Sequence, residues 1–242
     1  MLKNLFSGNT TENVDVIRSR RQKMPFAGEG CDGCGSCARA CPSGAVAIDG
    51  VWTMDAGKCI FCMECMDVCD KNALSLVDMP DYVLDRKDLV FRHGEPSEKV
   101  CGTIAAEKRR AIGRSIFIRE VDTGSCNVCE IEVNSLSNQF YDSERFGIKV
   151  VASPRHADVL LVTGPLTENM HLALTKAVSA TPDPKVIVAM GTCAISGGLF
   201  TDGAVIGNGI HEIVHVDMFI PGCPPSPDKL IRAFVGAFGL KY

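Results

Sequence analysis

The chain has 242 residues, of which 46% are hydrophobic and 22% are charged, and its formal net charge is −4 at pH 7. This apolar content is enough for one or two domains with buried cores, and the negative charge argues against general nucleic-acid binding. No apolar run approaches the roughly 18 residues of a membrane-spanning helix, so membrane association is expected only through partners.

The first 28 residues predict an N-terminal arm with one short helix. The helix is expected to be capped at Thr10 or Thr11 and to be broken at Pro25 and Gly28-Glu29-Gly30. Arg20 and Arg21 superficially match a twin-arginine export signal, but the apolar run that such a signal needs does not follow them. The chain is long and its 13 cysteines are an odd number, which does not fit a secreted disulfide framework. We therefore expect a cytoplasmic protein whose cysteines bind metal.

Eight cysteines between residues 31 and 69 form two copies of one spacing. Each copy reads C-x2-C-x2-C-x3-C, which is the cluster-ligand run of bacterial ferredoxins. Structural zinc sites use two separated cysteine pairs per metal, so the spacing favours iron–sulfur clusters over zinc. The first run contains Cys31, Cys34, Cys37 and Cys41, and the second contains Cys59, Cys62, Cys65 and Cys69.

The two runs lie in an internal repeat, and each run is followed by a turn and a short alternating segment that predicts a strand, AVAI and then ALSL. On these residues the region 29–80 resembles the bacterial-type two-cluster ferredoxin domain. The resemblance implies crossed ligation, in which the fourth cysteine of each run binds the other run's cluster. One [4Fe–4S] cluster would take Cys31, Cys34, Cys37 and Cys69, and the other would take Cys59, Cys62, Cys65 and Cys41.

One departure from the ferredoxin pattern concerns the residue after the fourth cysteine. Pro42 follows Cys41 as the pattern expects, whereas Asp70 follows Cys69. The ligands are retained, and the additional carboxylate is expected to lower the reduction potential of the nearby cluster.

Residues 81–113 predict a linker, because prolines flank or interrupt segments of dense mixed charge. A brief strand is expected at Leu89, Val90 and Phe91. Cys101 stands alone in this segment, and a lone cysteine is most often a small buried hydrophobic residue.

Residues 114–242 alternate short β-branched runs with helical patterns. Continuous apolar strands that alternate with helices indicate a parallel sheet covered on both faces, and the length fits a flavodoxin-like, doubly wound α/β domain. The strands are expected in RSIFIREVD, FGIKVVAS, ADVLLVTG, KVIVAMG and IVHVDMFIPG, and the helices in CEIEVNSLSNQF, TENMHLALTKAVSA and SPDKLIRAFVGAFG.

Four more cysteines follow strands of this domain. Cys126 and Cys129 come after the first strand, Cys193 after a central strand and Cys223 after the last. Ligand sites of parallel α/β sheets form beyond the carboxyl ends of the strands, so loops at this edge could gather all four. They fit a four-thiolate zinc site or a single [4Fe–4S] cluster, and beside a two-cluster ferredoxin a third cluster is the simpler interpretation.

Residues 115–240 resemble the small, electron-transferring subunit of energy-converting (group 4) [NiFe] hydrogenases of the formate-hydrogenlyase type, which is related to the cluster-N2, 20 kDa subunit of respiratory complex I. The resemblance is carried by DTGSCNVCEIE, ERFGIKVVASPRHADVLLVTG, MGTCAISGG and IPGCPPSP. The two-residue gap between Cys126 and Cys129 is hydrogenase-like, whereas the complex I subunit has adjacent cysteines. Val128 departs from the glycine that is common in this branch.

The resemblance implies that Cys126, Cys129, Cys193 and Cys223 bind a third [4Fe–4S] cluster. Electrons would pass between a ferredoxin or dehydrogenase donor and a [NiFe]-hydrogenase-like large subunit, in a complex held at the cytoplasmic face of the cell membrane by membrane subunits. No catalytic residue is assigned to this chain, since a nickel–iron site needs four cysteines of its own. The alternatives are a subunit of a complex I-like quinone oxidoreductase and a free-standing electron carrier.

Overall fold

The computed structural model describes residues 11–95, 101–124, 126–201 and 207–242. None of the helices in these ranges combines the length and the apolarity needed to cross a membrane. The N-terminal arm contains helix α1 (Val14–Ser19), which Asn13 caps by accepting a hydrogen bond from the Asp15 N–H. The predicted cap was therefore wrong at Thr11, and Thr10 lies outside the described residues.

The region of the two cysteine runs is built from short strands around two helical turns. The strand β1 pairs antiparallel with β4, and β2 and β3 form an antiparallel hairpin. Both predicted strands, AVAI and ALSL, are present as β2 and β4, whereas β1 and β3 were not predicted. The elements are β1 (Lys23–Ala27), α2 (Ser36–Ala40), β2 (Val46–Asp49), β3 (Val51–Asp55), α3 (Glu64–Asp67) and β4 (Leu74–Asp78).

The segment 81–113 is more than the linker that its sequence predicted. Its strand β5 (Val90–Arg92) pairs antiparallel with β3 and so completes a three-stranded sheet of the ferredoxin-like region. Its second half forms the helix α4 (Ala106–Ile112). Cys101 is partly buried and its thiol lies 3.2 Å from the Tyr82 carbonyl oxygen, which fits the expected packing role.

The C-terminal half is a parallel five-stranded sheet in the order β10-β9-β8-β6-β7. Counted from β6, this is the flavodoxin-like order 2-1-3-4-5, so the predicted fold class is confirmed. The strands β8 and β9 are buried throughout, because helices cover both faces of the sheet. The elements are β6 (Ile116–Asp122), α5 (Val128–Ser135), β7 (Ile148–Val150), β8 (Val159–Thr163), α6 (Glu168–Ala180), β9 (Val186–Met190), α7 (Gly191–Ser196), β10 (Met218–Ile220) and α8 (Pro227–Phe238).

A buried ionic network joins α8 to the segments that precede the sheet. Asp81 is buried and accepts hydrogen bonds from the Arg232 guanidinium at 2.8 and 3.0 Å, while Arg21 reaches the same carboxylate at 2.7 Å. Arg232 also donates to the Ile17 carbonyl at 2.6 Å, so one side chain of α8 holds both the linker and α1. These contacts fix the N-terminal arm and the start of the segment 81–113 against α8.

Candidate iron–sulfur sites

The cysteines of the two runs lie around two separate cavities. A cavity of about 170 Å³ is lined by Cys31, Cys34, Cys37 and Cys69, which we call the first ferredoxin site. A smaller cavity is lined by Cys41, Cys59, Cys62 and Cys65, which we call the second ferredoxin site. The chain therefore brings the fourth cysteine of each run to the other run's cavity, which is the arrangement that crossed ligation needs.

The internal repeat has a structural counterpart at the two exchanged cysteines. The backbone N–H of Ala45 donates to the Cys41 sulfur at 3.2 Å, and the N–H of Ala73 donates to the Cys69 sulfur at 3.3 Å. Each donor lies four residues after its cysteine, in the turn that leads to β2 or β4. Hydrogen bonds to sulfur favour the thiolate, which is the form that binds metal.

The second ferredoxin site combines buried thiols with donors of hydrogen bonds. Burial, with a smaller contribution from neighbouring thiolates, raises the pKa of Cys59 to about 12 and that of Cys65 to about 11. Burial also acts to raise the pKa of Cys41, but hydrogen bonds from the Val46 and Ala45 backbone and from Ser43 outweigh it and lower this pKa. Metal ligands must be deprotonated, so such a site needs the positive charge of a bound metal centre to hold its thiolates.

The remaining four candidate ligands lie at the carboxyl edge of the parallel sheet. Cys126 precedes α5 and Cys223 follows β10, as predicted, but Cys129 and Cys193 lie on helices rather than in loops. The helix α7 starts directly after β9 because Gly191 adopts a φ of +84°, which turns the chain without an intervening loop. Asn127 makes the corresponding turn before α5 with a φ of +69°.

Gly191 marks the point where three of the ligand-bearing segments meet. A Cβ atom at this position would lie 2.7 Å from the Cys129 sulfur and 3.5 Å from the Gly222 carbonyl oxygen. The segments carrying Cys129, Cys193 and Cys223 are therefore in contact at one place, which we call the α/β site. Its fourth member is Cys126.

The thiols of the α/β site influence one another. Burial raises the pKa of Cys193 to about 12, and the thiolates of Cys223 and Cys126 contribute further. Burial is also the main cause of the raised pKa of Cys129, followed by the charges of Glu130, Cys193 and Cys223. In the part of the chain that the structure describes, no three His, Cys, Asp or Glu side chains are drawn together tightly enough to hold one metal ion.

Two carboxylates, Glu130 and Glu120, lie beside the α/β site. Glu130 directly follows Cys129, is buried, and has no hydrogen-bond partner for either oxygen among the described residues. Glu120 on β6 was missed, although an acid within the apolar run IFIREVD signals a charge near the interior. Burial, followed by the charges of Glu130 and Asp122, raises the pKa of Glu120 to about 7.

Glu120 should make the stability of the chain depend on pH. Its pKa lies at about 7 in the folded chain, above the ordinary value of 4.5, so between these values the folded state keeps a proton that the unfolded state has lost. The free energy of unfolding therefore decreases as the pH rises through that window, because the buried carboxyl of Glu120 becomes charged. We expect Glu120→Gln to stabilise the chain more at about pH 8 than at about pH 4, measured by urea denaturation at both values. Glu95→Gln, at an exposed side chain, is the control, and an equal effect of Glu120→Gln at both pH values would contradict the assignment.

Comparison with known proteins supports both halves of this description. Residues 30–73 match the family described as "4Fe-4S dicluster domain", and residues 126–237 match "NADH ubiquinone oxidoreductase, 20 Kd subunit". Formate hydrogenlyase subunit 7 of Escherichia coli (strain K12) is 45% identical over 138 residues, covering 57% of this chain and 54% of that protein. The chain thus matches about half the length of this relative.

Two further relatives are covered over most of their length. The probable membrane-bound hydrogenase subunit mbhJ of Pyrococcus furiosus is 45% identical over 131 residues, which cover 54% of this chain and 78% of that protein. An NADH-quinone oxidoreductase subunit of Carboxydothermus hydrogenoformans is 36% identical over 148 residues, covering 55% of this chain and 89% of that protein. These relatives are subunits of oxidoreductases.

Among solved structures, the chain is similar to one in the membrane-bound sulfane sulfur reductase, an archaeal respiratory membrane complex. The TM-score is 0.48 with 31% sequence identity, over 54% of this chain and 72% of that chain. Family membership is established by the sequence identity of 45% over 78% of the Pyrococcus furiosus protein and of 36% over 89% of the Carboxydothermus hydrogenoformans protein. The chain belongs to the family of the 20 kDa subunit of NADH ubiquinone oxidoreductase, in its hydrogenase-related part, and carries a 4Fe-4S dicluster domain ahead of it.

Proposed function

We propose that the chain is an electron-transfer subunit that holds three [4Fe–4S] clusters and links an electron donor to the active site of a [NiFe]-hydrogenase-like large subunit. The first and second ferredoxin sites and the α/β site each supply four cysteines. When bound, each cluster supplies a one-electron carrier. The observation that carries this proposal is the position of the three four-cysteine sites along one molecule, two in the ferredoxin-like region and one at the sheet edge.

The residues around the sites fit such a role. Apolar side chains cover the inner side of the ferredoxin sites, among them the fully buried Met24 and Met54 and the nearly buried Trp52, and they keep water from the sulfur ligands. Cys34 and Cys62 lie on the outer side and are exposed, as are Cys126 and Cys223 of the α/β site. The sites are thus shielded within the chain and open towards its surface, where a donor and an acceptor can approach.

The surface beside the α/β site has the character of a protein interface. On α5 the side chains of Val128 and Ile131 are 40% and 55% exposed, directly beside Cys126 and Cys129. Contiguous apolar patches at a surface are typical of docking sites, and these two side chains are neighbours on one face of α5. We propose that this face is covered by the large subunit, and that membrane subunits hold the complex at the cytoplasmic face of the membrane.

One alternative has its own support. The similarity to the NADH-quinone oxidoreductase relative favours a complex I-like role, in which the chain delivers electrons to a quinone. The two-residue gap between Cys126 and Cys129 favours the hydrogenase-like partner instead. The identity of the large subunit separates these alternatives.

Metal analysis of the anaerobically purified protein tests the proposal. We expect about twelve iron atoms per chain, four for each of three cubanes, and a co-purifying large subunit that contains nickel. About eight iron atoms would mean that the α/β site holds no cubane, and zinc in place of iron would refute the cluster assignment. A quinone-dependent complex without nickel would support the complex I-like alternative, and a lone monomer would support a free-standing carrier.

A variant of the proposed interface sharpens the partner test. Ile131→Glu places a charge in the apolar face of α5 and is expected to abolish co-purification while all twelve ligand cysteines remain. Leu172→Glu is the matched control, because Leu172 is 61% exposed on a different helix, α6. If both variants retain the large subunit equally, the interface lies elsewhere.

A further inference from the structure

The second ferredoxin site and the α/β site are joined by the side chain of Thr192. This residue follows Gly191 at the start of α7, directly precedes Cys193, and is 1% exposed. Its hydroxyl donates to the carbonyl oxygen of Cys59 at 2.8 Å, across 133 residues of sequence. Its backbone N–H donates to the Gly222 carbonyl at 2.9 Å, next to Cys223. One residue therefore contacts segments that carry ligands of two sites.

A second contact shows that the two segments are pressed closely together. A Cβ atom on Gly57 would come within 2.7 Å of the Ile195 side chain, so only glycine lets the segment before Cys59 lie this close to α7. The other flank of the second ferredoxin site also faces α7, because Ser43 and Lys58 line one cavity with Ser196 and Gly198.

The first ferredoxin site has different surroundings. Its cavity is lined by residues 31–37, Ile48, residues 69–71, Ala73 and Leu74, which all belong to the ferredoxin-like region. No residue of the α/β sheet or its helices lines this cavity in the described chain. The two ferredoxin sites are therefore not equivalent with respect to the α/β site.

We propose that Thr192 is the positioning residue that fixes the second ferredoxin site against the α/β site and makes this contact the crossing between the two modules. The inference rests on the proposed function, since it assigns an order to the three sites. The first ferredoxin site is then the outer one, where a low-potential one-electron donor delivers its electron. At the crossing one electron leaves the second ferredoxin site and enters the α/β site, with no bond formed and no proton moved.

The hydroxyl of Thr192 supplies the hydrogen bond that connects the two segments. The path from Cys59 to Cys193 consists of the Cys59 backbone, one hydrogen bond, and the side chain and backbone of Thr192. Without the hydroxyl, the Cys59 carbonyl loses this partner in a buried place, and a buried acceptor that loses its partner disfavours the closed contact. Valine has the shape of threonine without the donor, whereas serine keeps the donor and loses a methyl group.

The test compares Thr192→Val with Thr192→Ser in the full chain, purified anaerobically with its clusters. We expect Thr192→Val to increase hydrogen–deuterium exchange in the segments 56–61 and 191–198 by about tenfold, as for the loss of one buried hydrogen bond. In the fully reduced protein, the magnetic interaction between the clusters of the two sites, measured by pulsed electron paramagnetic resonance, should weaken in Thr192→Val and persist in Thr192→Ser. Unchanged exchange and unchanged interaction in Thr192→Val would overturn the inference.

A matched pair of cysteine variants tests which ferredoxin site lies next to the α/β site. Cys34 and Cys62 are each the second cysteine of a run, and both are exposed. We expect Cys62→Ala to remove the magnetic interaction seen at the α/β cluster, and Cys34→Ala to leave it in place. The reverse result would make the first ferredoxin site the neighbour and would overturn the proposed order.

Iron content separates failure of this inference from failure of the proposed function. Both Thr192 variants keep all twelve candidate ligand cysteines and should bind about twelve iron atoms, the number expected for the unaltered chain. If the unaltered chain binds fewer, the three-cluster function itself is wrong. If it binds twelve and Thr192→Val behaves like it in every measurement, only the role of Thr192 is wrong.

Discussion

Replacing Cys41 with alanine is expected to abolish the cluster of the second ferredoxin site, although Cys41 belongs to the first cysteine run. The reason is the cavity that Cys41 shares with Cys59, Cys62 and Cys65, on the far side of the repeat from its own run. Iron should fall from about twelve atoms per chain to about eight, and the electron paramagnetic resonance signal of one ferredoxin cluster should vanish. The first ferredoxin site keeps all of its four ligands and should keep its cluster.

The mirror variant and an unrelated cysteine provide the controls. Cys69→Ala should abolish the cluster of the first ferredoxin site, because Cys69 lines that cavity with Cys31, Cys34 and Cys37. Cys101→Ala should retain about twelve iron atoms, since the thiol of Cys101 contacts the Tyr82 carbonyl and lies in none of the three sites. If Cys41→Ala instead loses the cluster of its own run, ligation is not crossed.

Loss of the crossed cluster should also weaken the module. In so small a region a bound cluster would replace much of the missing apolar core, and with crossed ligation the exchanged cysteine would tie one half of the repeat to the other. Cys41→Ala should therefore make the segment around β2 more susceptible to proteolysis than Cys101→Ala does.

The sequence was most informative where spacing or period carries the signal. The apolar runs of the α/β half predicted β6 to β10 and the helices α5, α6 and α8, each within a few residues of its observed bounds. The flavodoxin-like order was an inference from length and alternation, and pairing between strands distant in sequence confirmed it. Cysteine spacing likewise selected eight of the candidate ligands, and position after the strands of the parallel sheet selected the other four; their binding of clusters stays a prediction.

Short elements with weak patterns were missed. The strand β1 contains Pro25, and a proline argues against a central strand. In the described residues β1 pairs with β4 in a two-stranded sheet, where proline is tolerated. The segment of helix α7 was predicted to be a loop because it directly follows a strand. Its glycine and β-branched residues disfavour helices in short segments, so its sequence contained no helical signal. The strand β5 was expected at about the right place, but its sequence contained nothing to show that it pairs with β3 of the ferredoxin-like region.

The contact between the two modules could not be predicted from the sequence. Thr192 reads as an ordinary residue of MGTCAISGG, and its bond to Cys59 becomes visible only when both modules are folded together. The same holds for the polar network around Asp81, which lies in a segment that was predicted to be a linker. Long-range polar contacts leave no local pattern, whereas periodic burial does.

We expect Asp81→Asn to be among the most destabilising single substitutions in this chain. The Asp81 carboxylate accepts three hydrogen bonds from the buried Arg232 and forms an ion pair with Arg21. Breaking a buried ion pair by removing one partner costs about 3–5 kcal/mol, because the other charge is left uncompensated. Urea denaturation under anaerobic conditions should show this loss, and Asp15→Asn, at an exposed and loose ion pair with Arg18, should change stability by less than about 1 kcal/mol.

Lys229 is a second basic residue whose environment depends on the Asp81 carboxylate. It is fully buried on α8 near Asp81, its amine has no hydrogen-bond partner among the described residues, and burial lowers its pKa well below the ordinary value. The Asp81 carboxylate is the main influence that opposes this lowering. Removing that negative charge therefore leaves the buried guanidinium of Arg232 uncompensated and removes the influence that favours the charged form of Lys229.

The double variant Asp81→Asn/Lys229→Met tests this account. Methionine fills a similar volume without a polar head, so Lys229→Met alone should be close to neutral. In its presence Asp81→Asn should cost at least about 0.5 kcal/mol less than it does alone, since coupled neighbours deviate from additivity by this much or more. Strictly additive effects would show that Asp81 acts through Arg232 and Arg21 alone, whereas a positive coupling would show that Asp81 also interacts with the amine of Lys229.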